Sequence, residues 1–296
     1  MSRILFALPL LFFMSCNLHP SGHSNDSKGI ALHDSIIDPD KIVRLKVTNA
    51  EDYDQVLDML DKNKLNSISV AVRLFQNAKL DSLSRDSMFV GFNDFFALMA
   101  NSYLENTDSL HAKLAGDVSE GTISRIKSAL SDYGMNLTTA EGEYYLEPQT
   151  DWLIKNFGNK LSSGYVEFLT LSSKEQKEKF AADGIILIPV ETLMARIIIW
   201  EDFIGKHPGF ISLNKAEDFY TQYMEAFLSG TENSKAFDPA SKKLNAKSKS
   251  AFEAYIQNNP GRKSTVVIKE YYDLLKSSNF LYSEKVDAFI LEKLYN

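Results

Sequence analysis

A single cysteine in 296 residues leaves nothing for an intrachain disulfide to pair with. It also removes zinc sites built from several thiolates. Histidine is scarce at five residues, which narrows the choice of catalytic base and metal ligand. No apolar run approaches 18 residues and the mean hydropathy is −0.20, so no segment reads as a spanning helix. Positive charge is in deficit, with 32 Lys and Arg against 39 Asp and Glu. A net charge of −7 excludes general nucleic-acid binding, which needs a basic face to neutralise phosphates.

What is present begins at the amino terminus. Arg3 supplies a positive start, and Ile4 to Met14 is apolar over about eleven residues, the length of a signal-peptide core rather than of a span. Pro9 interrupts it as a helix. The segment ends at Phe13-Met14-Ser15-Cys16. This resembles the lipobox of bacterial lipoproteins, in which a cysteine after a small residue becomes the acylated amino terminus. Ser15 matches the small position, while Phe13 and Met14 depart from the usual choices. The resemblance implies cleavage after residue 15, acylation (palmitate among the chains) at Cys16, and stable anchoring, because two or three chains hold where one is marginal. Asn17 stands where inner-membrane retention takes Asp, and the acidic run of Bacteroidota surface-export signals is missing. The implied location is therefore the outer membrane, with the following chain facing the periplasm.

Residues 17–29 are nearly devoid of apolar side chains, and such a stretch stays a tether because burial cannot offset its ordering entropy. His19 and His23 are four apart, but Pro20 and Gly22 between them forbid the helix that would make them a metal pair, and adding His33 does not restore one. The expected organisation is a signal peptide at 1–15, the lipidated cysteine and tether at 16–40, and a helical domain at 41–296 with a possible seam near 135–150.

Val43, Leu45 and Val47 alternate with polar residues, the period of a half-buried strand. Thr48 and Glu51 then have the spacing of a capping box, followed by the stripe Tyr53, Val56, Leu57 and Leu60. Further helices are expected after Asn63, over about 86–104 and over about 120–133, with Gly134 as a stop. Residues 135–139 and 143–147 read as two short strands around Ala140-Glu141-Gly142, and they could share a small sheet with the strand near Val43. After Pro148 the helical period resumes. Thr150 opens one helix, 165–171 is another, and Ser172 with Glu175 boxes a third that ends at Asp183-Gly184. Pro189 opens the most apolar helix, 190–204. Asn214 and Glu217 box a helix with the stripe Phe219, Tyr220, Tyr223, Met224, Phe227 and Leu228. Three more follow near 251–257, 266–275 and 284–294, after a polar, lysine-rich segment at 230–250 that reads as a loop or a poorly anchored helix. The fold class is mostly α: an irregular array of about ten helices with a minor hairpin or small sheet, without the repeat period of a solenoid.

Few motifs carry chemistry. His111 and His207 are the only bases in the folded part for a nucleophilic triad, and His207 sits in a helix-stop turn where it serves the helix end. No H-E-x-x-H occurs, and Gly261-Arg262-Lys263-Ser264 lacks the first glycine of a phosphate loop. No metal or other cofactor is implied. Arg196 and Glu201 interrupt the helix 190–204 five residues apart, so each has its partner elsewhere or lies at the helix edge. Glu143, Tyr145, Glu147, Asp151 and Trp152 form the densest mixture of acids and aromatics, which is what an aromatic-walled glycoside cleft would use. The same residues also suit a solvated hairpin packed by its tyrosines. Lys235 to Lys263 holds seven basic residues against two acidic ones, which suits a solvated loop and helix face or a patch for anionic lipid or an acidic partner. Asp precedes Ser35, Ser82, Ser87 and Ser109, each followed by an apolar residue. This resembles the O-glycosylation acceptor of Bacteroidota periplasmic proteins, and the same triplet also makes helix N-caps.

Two functions of different class follow. The first is a lipid-anchored envelope module that binds or scaffolds a protein or glycan of the cell envelope, with the membrane held through acylated Cys16. The alternative is a carboxylate-based envelope glycan hydrolase centred on 141–152.

Overall fold

The structure is a computed structural model and describes Ile42, residues 45–105, Leu114, residues 118–140 and residues 143–295. Cys16, the signal segment, the tether, Ser35, Ser109 and His111 lie outside the described residues. The described chain contains eleven helices and three two-stranded antiparallel ribbons, so the fold is mostly α with minor hairpins. It divides into two compact units between Thr170 and Leu171.

The N-terminal unit contains α1 (Ala50–Asp58), α2 (Asn66–Asn77), α3 (Ser82–Glu105) and α4 (Glu120–Ser131). The ribbon β1 (Met135–Ala140) and β2 (Glu143–Pro148) follows, then α5 (Thr150–Phe157) and the first half of α6 (Ser163–Lys177). Its core is aromatic. The Phe157 ring lies 4.8 Å from Phe75, 4.9 Å from Phe89 and 4.5 Å from Phe92, all of them buried. Edge and tilted contacts at these distances add to the stabilisation from area burial. Arg85 is buried beside this cluster because it closes the end of α2, donating to the Phe75 carbonyl at 2.9 Å and to that of Ala78. These are the orphan acceptors of a helix C-terminus.

The C-terminal unit contains the second half of α6, β3 (Ala181–Ala182) with β4 (Ile185–Ile186), α7 (Val190–Lys206) and α8 (Leu213–Ser229). The ribbon β5 (Gly230–Thr231) and β6 (Ser234–Lys235) leads to α9 (Ala246–Asn258), α10 (Lys263–Ser277) and α11 (Glu284–Tyr295). Trp200 of α7 stacks on Phe219 of α8 with centroids 4.5 Å apart. Phe227, Phe252 and Tyr271 continue the core through α9 and α10. Among the described residues no helix is long and apolar enough to cross a membrane.

Several expectations are corrected. Residues 45–47 form no strand, and the β1–β2 ribbon has only its own two strands. Alternation alone cannot make a strand where no partner supplies the ladder. The cap of α1 is Asn49, whose side chain accepts the Asp52 amide at 2.8 Å while Asp52 accepts the Thr48 amide at 2.9 Å. The box therefore lies one residue beyond Thr48–Glu51. Ser172 and Ser173 are buried inside α6 and start nothing. Asp183 and Gly184, read as a helix stop, form the turn between β3 and β4. The helix α8 begins after Ser212 without a side-chain cap, so Asn214 and Glu217 make no box. The segment 230–250, read as a loop or a poorly anchored helix, holds the β5–β6 ribbon as well as the start of α9.

Candidate functional site

The acid-rich ribbon comes first. Register pairs Leu137 with Leu146 and Met135 with Pro148, and Leu137, Leu146 and Met135 are buried. Alternation puts Tyr145, opposite Thr138, and Glu147, opposite Asn136, on the other face, where both are half-buried. Glu143 occupies the register position opposite Ala140. Asp151 is exposed in the first turn of α5. Trp152 is occupied structurally: its indole N–H donates to the Asp132 carbonyl at 3.2 Å, and its ring lies against Gly134. Gly134 has φ of +76°, and a Cβ there would fall 2.5 Å from the ring. The site residues Tyr145 and Glu147 are thus brought onto one face of a ribbon, while Trp152 is turned into a brace between the ribbon and α5.

The serines of the acceptor-like triplets sit at α3. Ser82 is exposed at its first position. The preceding Asp81 accepts the amides of Leu83 and Ser84, each at 3.0 Å, which holds its carboxyl below the usual range and makes it a helix cap. Ser87 lies within the helix, half-buried. Asp86 before it is buried and accepts the Ser162 amide at 2.9 Å.

A cluster the sequence reading missed lies in the C-terminal unit around Glu175. Its two oxygens accept the Trp200 indole N–H at 2.8 Å and the Tyr223 hydroxyl at 2.5 Å. Burial pushes the Glu175 carboxyl above its ordinary value against both hydrogen bonds, and it pushes Tyr223 up as well. Arg196, 5% exposed, donates to Tyr223 at 3.3 Å and reaches Glu178 at 3.1 Å. Of the two alternatives, Arg196 has its partners outside its own helix. Glu201 meets the Lys263 amide and the Ser264 hydroxyl at the start of α10. These hydrogen bonds are internal and bind α6, α7 and α8 together, an arrangement that holds a fold. The spacing Ser172-x-x-Glu175 hid the cluster, because it imitates a capping box.

The basic segment separates into two parts. Arg262 is taken up by Asp202, at 2.6 Å, and by Glu201. Lys235, Lys242, Lys243 and Lys247 are exposed and make no ion pair among the described residues. Both acids of the segment are occupied: Asp238 accepts the Ser241 amide and hydroxyl, each at 2.7 Å, and Glu253 accepts the Tyr272 hydroxyl. Beside these lysines lies a half-open cavity of about 220 Å³, walled by Ile186, Ile188, Leu193 and Phe227 and edged by Lys235 and Lys247. Gly230 lines it at φ of +78°, where the chain crosses so tightly that a Cβ would lie 2.1 Å from the Ser234 carbonyl oxygen. Among the described residues no group of three or more His, Cys, Asp or Glu could hold a metal ion.

No family model, curated protein or solved structure matches this chain.

Proposed function

We propose that the chain is a lipid-anchored module of the cell envelope, held through acylated Cys16, that binds or scaffolds an anionic protein or glycan there. The observation that carries the binding reading is the exposed group Lys235, Lys242, Lys243 and Lys247, which makes no ion pair among the described residues, in a chain whose net charge is −7. Local positive charge not offset by an ion pair favours an anionic surface and speeds its encounter. The hydrolase reading has weaker support, since Trp152, one wall of the cleft it needs, is committed to Gly134 and Asp132.

A photoreactive residue at position 243 tests the reading in cells, with position 98 of the N-terminal unit as a control. Leu98 is 55% exposed, so it is equally open to a chance encounter. The expected result is a discrete crosslink from 243 that disappears when Lys235, Lys242 and Lys247 are changed to Gln. Absence of a crosslink, or one that persists in the Gln variant, contradicts the reading.

A further inference from the structure

We infer that the cavity beside β6 and α9 is a binding site for a small anionic amphiphile: one carboxylate or phosphate on an unbranched apolar stem. The inference rests on the binding reading for its setting and on the cavity for its chemistry. Two kinds of residue line the cavity. Ile186 and Ile188 enter from β4 and the residues after it, with Leu193 from α7 and Phe227 from α8, and they contribute apolar surface. Lys235 of β6 and Lys247 of α9 add two cations, and the lining contains no Asp or Glu to offset them.

Two uncharged side chains of the lining hold its wall together. The Ser234 hydroxyl accepts the Ile186 amide at 3.0 Å. The Asn245 side chain accepts the Ser248 amide at 2.7 Å and donates to the Lys235 carbonyl at 3.1 Å. These bonds fix the wall; the Ser234 and Ser248 hydroxyls can still donate to a ligand, and the two lysines are the charged groups of the lining. A low-dielectric wall focuses their field into the cavity, so an anion is favoured over a neutral or cationic head. An apolar stem in turn gains by leaving water against the aliphatic residues.

Size narrows the class further. At about 30 Å³ per water-sized group, the half-open cavity of about 220 Å³ encloses about seven such groups. It therefore takes the apolar stem while the anionic head stays at the mouth with the exposed Lys235 and Lys247. This volume is smaller than a drug-sized ligand and far smaller than a whole phospholipid. The same chemistry could come from a free metabolite or from the end of a membrane lipid, and the volume favours the free molecule.

The test titrates the purified full chain with octanoate and octyl phosphate, with octanol and inorganic phosphate as controls and vesicles of anionic phospholipid as a separate arm. Both octyl anions are expected to bind saturably, at least tenfold more tightly than octanol or inorganic phosphate. The double variant Lys235→Gln/Lys247→Gln should weaken them at least tenfold. Both lysines are exposed, so this variant keeps its fold. A second variant, Ala251→Leu, places a larger side chain on the cavity wall and should abolish binding of both anions. Equal binding of octanol overturns the role of charge, and equal binding of inorganic phosphate overturns the apolar stem. Binding to vesicles without binding to either soluble anion overturns the cavity as the site, and so does absence of all binding. Failure here leaves the crosslink from position 243 untouched, and loss of that crosslink leaves this titration untouched.

Discussion

At the scale of single residues, Gly134 and Glu175 carry roles that their neighbours in sequence do not announce. Gly134 combines a left-handed backbone with the face of Trp152 where a Cβ would be. Both effects penalise a side chain, one through backbone strain and the other through a clash with a rigid ring. Gly134→Ala should therefore destabilise the protein by about 2–4 kcal/mol in chemical denaturation. Glu175 works in the opposite chemical sense. Its carboxyl is raised by burial, so the folded chain holds a proton that the unfolded chain has released. Stability from this group is complete below the ordinary glutamate range and falls as pH rises toward the raised value. Glu175→Gln removes the titration. The stability of the wild type relative to this variant should fall with rising pH through that window and then level off. Other buried carboxyls such as Asp86 contribute to both chains equally and cancel in the difference. A flat difference would show that the carboxyl is not held up by burial.

At the scale of elements, side chains with internal periodicity were legible and boundaries set by local bonds were less so. The stripes of α1 and α8 lie in the core, with Tyr53, Val56 and Leu57 in the first and Phe219, Tyr223, Met224, Phe227 and Leu228 in the second. The ribbon at 135–148 was legible because Gly134 and, in the sequence, Ala140-Glu141-Gly142 bracket two runs of β-favouring residues. Capping boxes misled in three places, since a Ser, Thr or Asn three residues before a Glu occurs equally inside a helix. Ser172 shows this inside α6. The alternation at 43–47 misled for a different reason, which is that a strand depends on a partner distant in sequence. For α1 the correction is testable: Asn49→Ala should cost about 1 kcal/mol in chemical denaturation, the usual worth of an N-cap. Glu51→Ala, at the site of the expected box, should change stability by less than about 0.5 kcal/mol, as exposed substitutions do.

At the scale of the whole molecule, the proposed anchor at Cys16 lies near one end of the sequence and the basic segment near the other. The lysines at 235–249 were legible as a charge excess, but their division was not. Only the fold shows Arg262 neutralised by Asp202 and Glu201, with Asp238 and Glu253 turned to loop and tyrosine. The cavity was hidden for the same reason, because Ile186 and Ile188 are brought to Lys235 and Lys247 by the packing of β4, β6 and α9. Everything proposed about where the module acts depends on Cys16. Membrane fractionation of the wild type and Cys16→Ala tests that claim most directly. The wild type should sediment with the membranes and resist extraction by high salt, and the variant should be released into the soluble fraction. Recovery of Cys16→Ala in the membranes at the wild-type level would contradict the account.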